Sequence, residues 1–201
     1  MSSRRAPAPP SDRLLRTLAA VPVSSSVLNL GCGSGRHTEA LLRLGFPVHA
    51  CDPRPGAIED TRAVVRDLVD KETAQSCVQN RSLEALDEID ATFDWVIADR
   101  TEAFVDSAAA LESLLRKGHD LLSPGGWLYL TVPAAPGSEA ESGTSPPQGR
   151  DDVAILFAPT DLEAPKLNTK LVESREPSRV AEHGETRVHA LYRRVERPAP
   201  R

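Results

Sequence analysis

The segment VLNLGCGSG, residues 27–35, joins a short apolar run to three glycines at alternate positions. The run predicts a β-strand, and the glycines predict a tight loop, because residues without a Cβ adopt positive φ and let a ligand approach the backbone. The pattern of residues 38–44 predicts a helix soon after the loop. The N–H groups and positive dipole end of that helix point toward the loop, which predicts a site for a pyrophosphate or an amino-acid carboxylate.

The glycine spacing bears on which of these ligands is bound. A dinucleotide-binding loop has the pattern Gly-x-Gly-x-x-Gly, in which the last glycine lets the helix pack closely on the strand. Here the pattern is Gly-x-Gly-x-Gly, and Arg36 stands where the last dinucleotide glycine would be. The spacing disfavours a dinucleotide-dependent oxidoreductase, which stays as an alternative.

Asp52 follows residues 48–51, which are mostly apolar and predict a second strand. In a sheet of parallel strands this residue lies beside the glycine loop, at the edge where such sheets bind ligands. Its carboxylate can accept hydrogen bonds from both hydroxyls of a ribose. The alternative is that Asp52 only starts a turn with Pro53. Together with the glycine loop, Asp52 favours binding of a nucleoside.

Apolar runs and helical spacings alternate along the chain. Ser11 is a predicted N-cap of a first helix, and Ile58, Val65 and Leu68 predict one long helix. The remaining segments are three strands at 77–79, 95–98 and 127–132, a helix over 108–122 that ends at the breaker Ser123–Gly126, and two final strands at 171–173 and 188–195. This order predicts an α/β fold: a single doubly wound, Rossmann-like, seven-stranded sheet, mostly parallel, with an antiparallel C-terminal hairpin at the edge.

Composition excludes several classes of protein. A net charge of -5 over 201 residues disfavours broad attraction to nucleic acid. No apolar run reaches the ~20 residues that cross a bilayer, and residues 1–10 lack the apolar region of a signal peptide. Cys32, Cys51 and Cys77 are odd in number and form no Cys-x-x-Cys pair, so we expect reduced thiols, no metal site and a cytoplasmic protein.

Three later segments extend the pattern set by the glycine loop and Asp52. They are Asn80–Leu86 after the third strand, Phe93–Ala98 as the fourth strand, and LLSPGGWL at residues 121–128. In order and spacing these segments resemble the motifs of class I S-adenosylmethionine (SAM)-dependent methyltransferases over about residues 25–133. The resemblance implies SAM as cofactor and a methyltransferase domain at residues 11–195. Disordered tails are expected at 1–10 and 196–201, and a flexible loop or lid at 134–152.

The resemblance also implies a set of cofactor-binding residues: Asn29, Gly31, Cys32, Gly33, Gly35, His37, Asp52, Pro53, Ser82, Leu83 and Ala98. Two of them depart from the family, since Asn29 replaces an aspartate of the first strand and Ser82 replaces the acidic residue that contacts adenine. These changes imply an altered affinity for the cofactor. For His37 the alternative is a packing or solvent-facing side chain.

The methyl acceptor is expected beyond the fourth strand, where Asp99 and Arg100 are candidates to line its site. Arg100 suits a carboxylate or phosphate; the alternative is that Asp99 caps a helix and Arg100 faces solvent. The Asp/Asn-Pro-Pro-aromatic motif that serves exocyclic nucleobase amines is missing there. The resemblance therefore implies a small-molecule acceptor, with no residue assigned to catalysis. A catalytically inactive binding or partner subunit is the alternative.

Overall fold

The computed structural model describes residues 9–135, 162, 171–182 and 184–195. Its strands are β1 (Val27–Leu30), β2 (Val48–Asp52), β3 (Val78–Asn80), β4 (Phe93–Ala98), β5 (Leu122–Pro133), β6 (Leu171–Glu182) and β7 (Glu185–Arg194). Its helices are α1 (Asp12–Leu18), α2 (Arg36–Arg43), α3 (Pro55–Val65), α4 (Lys71–Cys77) and α5 (Ala108–Asp120), with 3₁₀ turns at Glu84–Glu88 and Thr101–Ala103.

The seven strands form one sheet in the order β3-β2-β1-β4-β5-β7-β6. Strands β1 to β5 pair in parallel, whereas β7 is antiparallel to both β5 and β6. The predicted fold class is confirmed, including the antiparallel hairpin at the edge. The tails expected at residues 1–10 and 196–201 and the loop expected at 134–152 lie wholly or mostly outside the described residues.

The central strands are buried because helices cover both faces of the sheet. All four residues of β1 are buried, as apolar runs of parallel strands require. Helix α1 packs Leu14 and Leu18 on one face, next to Trp95 of β4. Helix α5 packs Leu111 and its apolar neighbours on the other face. At the start of α1, Ser11 accepts a 3.3 Å hydrogen bond from the N–H of Leu14, so the predicted N-cap is confirmed.

The long helix predicted around Ile58, Val65 and Leu68 is wrong in its extent. Helix α3 ends at Val65, and a separate helix, α4, begins after Asp70. The Asp70 carboxylate accepts a 2.9 Å hydrogen bond from the N–H of Thr73 and caps the new helix. The new cap starts a second helix before β3, which a single helical spacing does not reveal.

Helix α5 ends at Asp120, earlier than the predicted end at Leu122, and the breaker Ser123–Gly126 lies inside β5, which begins at Leu122. The pairing of β4 with β5 shifts register between Phe93 and Trp95. A Cβ at Gly126 would lie 2.9 Å from the carbonyl oxygen of Ser123 and 3.0 Å from that of Asp94. Glycine is therefore required where the backbone of this irregular strand folds against its neighbour.

The hairpin strand β6 is longer than the predicted residues 171–173, because it continues through two register shifts. Pro177 and charged residues interrupt its apolar alternation, so the pattern ends before the strand does. These features also protect the outer edge of the sheet against pairing with another strand.

Candidate functional site

The glycine loop lies where β1 ends, and its three glycines have positive φ values of 73°, 56° and 87° at Gly31, Gly33 and Gly35. A Cβ at Gly35 would lie 2.5 Å from Cγ2 of Val64 and 3.1 Å from Cα of Thr61, so this glycine lets α3 pack against the loop. A Cβ at Gly33 would meet nothing nearer than the carbonyl oxygen of Gly31 at 4.0 Å. The loop therefore leaves open space above its middle glycine.

Asp52 ends β2 beside this loop, at the position that the sequence predicts, and its side chain is fully buried. Oδ2 accepts a hydrogen bond of 3.0 Å from the N–H of Gly33. Arg54 donates three more: its N–H and Nε to Oδ1 at 3.0 and 2.8 Å, and Nη2 to Oδ2 at 2.8 Å. Burial alone would raise the pKa of Asp52, but the hydrogen bonds from Arg54 and Gly33 outweigh it and hold that pKa below its ordinary value.

Asn29 lies in β1 directly below the loop and is buried. Its Nδ2 donates a 3.0 Å hydrogen bond to Oγ1 of Thr38 in α2. The amide therefore connects the strand before the loop to the helix after it. This contact orients the loop without placing a charge there.

Cys32 is held inside the loop. Thr61 of α3 donates through Oγ1 toward the Cys32 sulfur at 3.3 Å and the Gly33 carbonyl at 3.0 Å. Burial raises the pKa of the Cys32 thiol to about 11, so the thiol is protonated at neutral pH. Cys32 therefore packs the loop and is a poor nucleophile.

His37 is buried between α1 and the end of β4. Its Nε2 accepts a 3.0 Å hydrogen bond from the N–H of Ser11 and lies 3.6 Å from Oδ2 of Asp99. Burial lowers the pKa of His37 to about 4, against a smaller opposing effect of Asp99. The ring is neutral at pH 7, and the structure places it against α1.

Asp99 follows β4 and is almost completely buried under charged neighbours. Oδ2 accepts a 2.5 Å hydrogen bond from Nη2 of Arg36, and Oδ1 accepts one of 2.6 Å from the hydroxyl of Thr131. Burial would raise the pKa of Asp99, but His37, the Thr131 hydroxyl and Arg36 outweigh it, and the pKa lies below its ordinary value. An ionised carboxylate held this way is a weak proton acceptor and positions Arg36.

Arg100 has φ 58° and is the one residue other than glycine with positive φ among those described. Its N–H donates to Oγ1 of Thr131 at 3.0 Å, and its guanidinium lies 3.2 Å from Glu185. The side chain is partly exposed, at 37 %. Arg187 of β7 pairs with Glu102 at 2.6 Å in the same region. The edge beyond β4 and β5 is therefore a network of opposite charges.

The remaining predicted residues lie along the same edge of the sheet. Ala98, the last residue of β4, is fully buried, and Pro53 follows Asp52. Ser82 and Leu83 follow β3, whose Asn80 pairs with Asp52 in the sheet. The Ser82 hydroxyl donates a 2.7 Å hydrogen bond to Glu84. The structure thus brings the predicted cofactor residues to one edge, with His37 turned against α1.

Sequence reasoning missed two residues of this site. Arg54 stands two positions after Asp52, and an opposite charge at that spacing is a signal that could have found it. Phe104 follows the 3₁₀ turn beyond β4, and its ring would lie 3.6 Å from a Cβ at Gly31. No local pattern marks Phe104, because the contact joins segments that are far apart in the sequence.

A groove of about 1040 Å³ lies away from this edge, between α1 and the C-terminal hairpin. The stacked rings of Trp95 and Trp127 form part of its wall, with centroids 5.8 Å apart. Over the described ranges, no three or more His, Cys, Asp or Glu residues are grouped as metal ligands. Within those same ranges, no helix has the length and apolar character needed to cross a membrane.

Comparison with known proteins agrees with this geometry. Residues 27–126, about half of the chain, match a family model described as a methyltransferase domain. The mitochondrial ubiquinone biosynthesis O-methyltransferase of Mus musculus is 32% identical to this chain over 128 residues. The match covers 60% of this chain and 33% of that protein. The ubiquinone biosynthesis O-methyltransferase of Ruegeria pomeroyi is 34% identical to this chain over 100 residues. That match covers 50% of this chain and 38% of the relative. The matches thus span little more than a third of these relatives.

Solved structures share the fold at low sequence identity. A SAM-dependent methyltransferase from Methanosarcina mazei superposes with a TM-score of 0.70 at 14% identity, covering 94% of this chain and 99% of that one. The N-methyltransferase NodS from Bradyrhizobium japonicum, in complex with S-adenosylhomocysteine, superposes with a TM-score of 0.64 at 18% identity. The superposition covers 92% of this chain and 85% of NodS. Both confirm the sheet architecture described above.

Proposed function

We propose that this chain, which belongs to the class I SAM-dependent methyltransferases, transfers a methyl group from SAM to a small-molecule acceptor. The observation that carries the proposal is the contact between Asp52 and Gly33. A buried, ionised carboxylate is hydrogen-bonded to the middle of a glycine loop whose upper side is open. Such an arrangement suits a nucleoside that has a ribose and an amino-acid tail.

The residues at this edge fit SAM in the following way. Asp52 would accept the ribose hydroxyls, and the Gly31–Gly35 loop would hold the methionine part. The adenine side would be formed by Ser82 and Leu83. Asn29, Cys32, Pro53 and Ala98 would support the pocket, and His37 would act through the position of α1. When bound, SAM supplies an electrophilic methyl group, so the protein mainly has to orient the acceptor.

The acceptor side of the proposed site is the edge beyond β4. Arg100 has a partly exposed guanidinium there, paired with the partly exposed Glu185, so it suits an anionic group of the acceptor. Asp99 is a positioning residue, because Arg36 and Thr131 occupy its carboxylate. The curated relatives are named O-methyltransferases, which supports oxygen as the accepting atom. A net charge of -5 disfavours nucleic acid as acceptor.

The proposed location is the cytoplasm. The sequence motivates it through the odd number of cysteines, which form no Cys-x-x-Cys pair. Cys32, Cys51 and Cys77 are free and buried, in keeping with a reducing compartment.

A second candidate is a relative that has lost activity and serves as a binding or partner subunit. The observation in its favour is that two polar groups of the pocket already have partners inside the protein. The Asn29 amide is bonded to Thr38, and Arg54 covers Asp52. Cofactor binding and methyl transfer therefore need separate tests.

The first test is thermal unfolding with S-adenosylhomocysteine, with NAD as the comparison ligand. Ligand at about 100 times its dissociation constant adds about 2.7 kcal/mol to the free energy of unfolding. We expect a shift with S-adenosylhomocysteine and none with NAD. Asp52→Ala should abolish the shift, whereas Asp67→Ala, at an exposed aspartate away from the loop, should keep it. A protein unaffected by S-adenosylhomocysteine would contradict the proposal.

The second test is transfer of labelled methyl groups from SAM to a panel of small phenols, carboxylic acids, amines and thiols. Label on an oxygen of a phenol or acid supports the proposed acceptor. A protein that binds S-adenosylhomocysteine but methylates no member of the panel favours the inactive relative.

A further inference from the structure

We infer that Arg54 competes with the ribose of the cofactor for Asp52 and thereby sets the affinity for SAM. This inference rests on the proposed function, since it concerns the same pocket. It assigns a role to a residue that lies outside the predicted set of cofactor-binding residues.

The donors around Asp52 fill the capacity of its carboxylate to accept hydrogen bonds. An ionised carboxylate offers about four acceptor positions. Four donors fill them: the N–H of Gly33, the N–H of Arg54, and Nε and Nη2 of the Arg54 guanidinium. The two guanidinium bonds, at 2.8 Å each, are a bidentate pair on the same two oxygens that a ribose diol would need.

The two partners differ strongly in exposure. The Asp52 side chain is fully buried, whereas 60 % of the Arg54 side chain is exposed. Arg54 thus covers Asp52 from the solvent side, which is also the side open to a ligand. A ribose can reach Asp52 only after the guanidinium has left.

The Arg54 guanidinium can leave Asp52 without disturbing the other contacts of the site. The N–H groups of Gly33 and Arg54 belong to the backbone and keep their bonds to Asp52. Arg54 is the residue at the start of α3, so its backbone is fixed by the helix while its side chain extends into water. Because the Arg54 side chain is mostly exposed, the released guanidinium is hydrated, which limits the penalty for breaking its pair with Asp52.

This competition has an ionic signature. Dissolved salt screens the attraction between Arg54 and Asp52 but does little to hydrogen bonds from the neutral hydroxyls of a ribose. Higher ionic strength therefore weakens the competitor more than the ligand. The native protein should bind S-adenosylhomocysteine more tightly as salt increases, and a variant without the guanidinium should lose this dependence.

The experiment is titration calorimetry with S-adenosylhomocysteine at ionic strengths of roughly 0.02 M and roughly 0.5 M. Arg54→Met keeps the aliphatic stem and removes the charge, and Arg54→Lys keeps the charge without the bidentate geometry. Arg66→Met removes an exposed arginine from the far end of α3 and is the matched control. Thermal unfolding without ligand verifies that each variant is folded.

We expect Arg54→Met to bind about 3- to 10-fold more tightly at low salt, since an ion pair with one exposed partner contributes modestly. Arg54→Lys should lie between Arg54→Met and the native protein, and Arg66→Met should match the native protein. Unchanged binding by Arg54→Met would overturn the inference. Weaker binding would overturn it too and would make Arg54 a direct ligand of the cofactor.

The outcomes also separate this inference from the proposed function. If the native protein and Arg54→Met both fail to bind S-adenosylhomocysteine, the proposed function fails, and this inference fails with it. If the native protein binds and Arg54→Met binds equally well, only the role of Arg54 is rejected.

Discussion

The Asn29 amide donates a 3.0 Å hydrogen bond to the Thr38 hydroxyl, and both side chains are buried. The bond spans the glycine loop, since Asn29 lies in the strand before it and Thr38 in the helix after it. An aspartate at position 29 would place a charge in this buried contact. The asparagine fixes the same geometry while it keeps the contact neutral.

We predict that Thr38→Val lowers the free energy of unfolding by about 1–3 kcal/mol, because it leaves the buried Asn29 amide without its acceptor. Asn29→Leu should have a cost in the same range. The double variant should lose less than the sum of the two, since neither polar group is then left unsatisfied. Urea unfolding of all four proteins measures this coupling, and simple additivity would contradict it.

Gly35→Ala should destabilise the protein by roughly 2–5 kcal/mol. Alanine would be strained in the left-handed backbone conformation at φ 87°, and its Cβ would lie 2.5 Å from Cγ2 of Val64. Gly45 has a similar φ of 93°, and a Cβ there would meet nothing within 4 Å. Gly45→Ala should therefore lower the free energy of unfolding only by the backbone strain, about 1–2 kcal/mol. Equal losses in thermal or urea unfolding would show that packing against α3 does not matter.

Asp99→Ala should cost about 3–5 kcal/mol, because it removes the buried carboxylate that neutralises the largely buried Arg36. The comparison is Glu39→Ala, which breaks the exposed pair with Arg43 one helical turn away and should cost about 0.5 kcal/mol or less. Chemical denaturation of both variants gives the two values. A small loss for Asp99→Ala would mean that Arg36 finds another partner.

The stability of the native protein should fall as the pH decreases from about 6.5 to about 4. Burial lowers the pKa of His37 from 6.5 to about 4, so the unfolded chain binds the proton first. The contribution of neutral His37 to stability is fully present above the pKa of histidine in the unfolded chain. It is lost as the pH falls toward the pKa of His37 in the folded protein. It amounts to about 3 kcal/mol.

The control for this pH dependence is His37→Gln, whose amide oxygen can accept the hydrogen bond of Ser11 without titrating. Urea unfolding across this pH range should show a shallower decline for His37→Gln than for the native protein. Parallel curves would mean that another group causes the loss.

Most of the architecture could be predicted from local patterns. The apolar run Val27–Leu30 coincides with β1, and Asp52 lies beside the loop as expected, because parallel strands joined by helices bring their carboxyl ends to one edge. The predictions failed where a local signal had two meanings. The breaker Ser123–Gly126 is typical of a helix end but lies in a strand, and Asp70 divides what reads as one helix into two.

Within the candidate site, the residue types and their order along the edge were readable in the sequence, but their partners were not. Arg36 was notable only as the wrong residue for a dinucleotide loop, yet it pairs with Asp99 across 63 positions of sequence. Such a pair forms because β1, which leads into the loop and α2, lies next to β4 in the sheet, and no local spacing encodes that arrangement.

The chain thus specifies the glycine loop, the strand that delivers it and the carboxylate at the end of β2 through short-range patterns, since backbone conformation and burial follow from neighbouring residues. Long-range packing alone assigns the contacts of those groups: Asn29 to Thr38, His37 to Ser11 and Asp99 to Arg36. The Arg54 guanidinium on Asp52 belongs with them, although the two residues are close in sequence. Its position depends on the direction in which β2 ends and α3 begins, which is a property of the folded sheet.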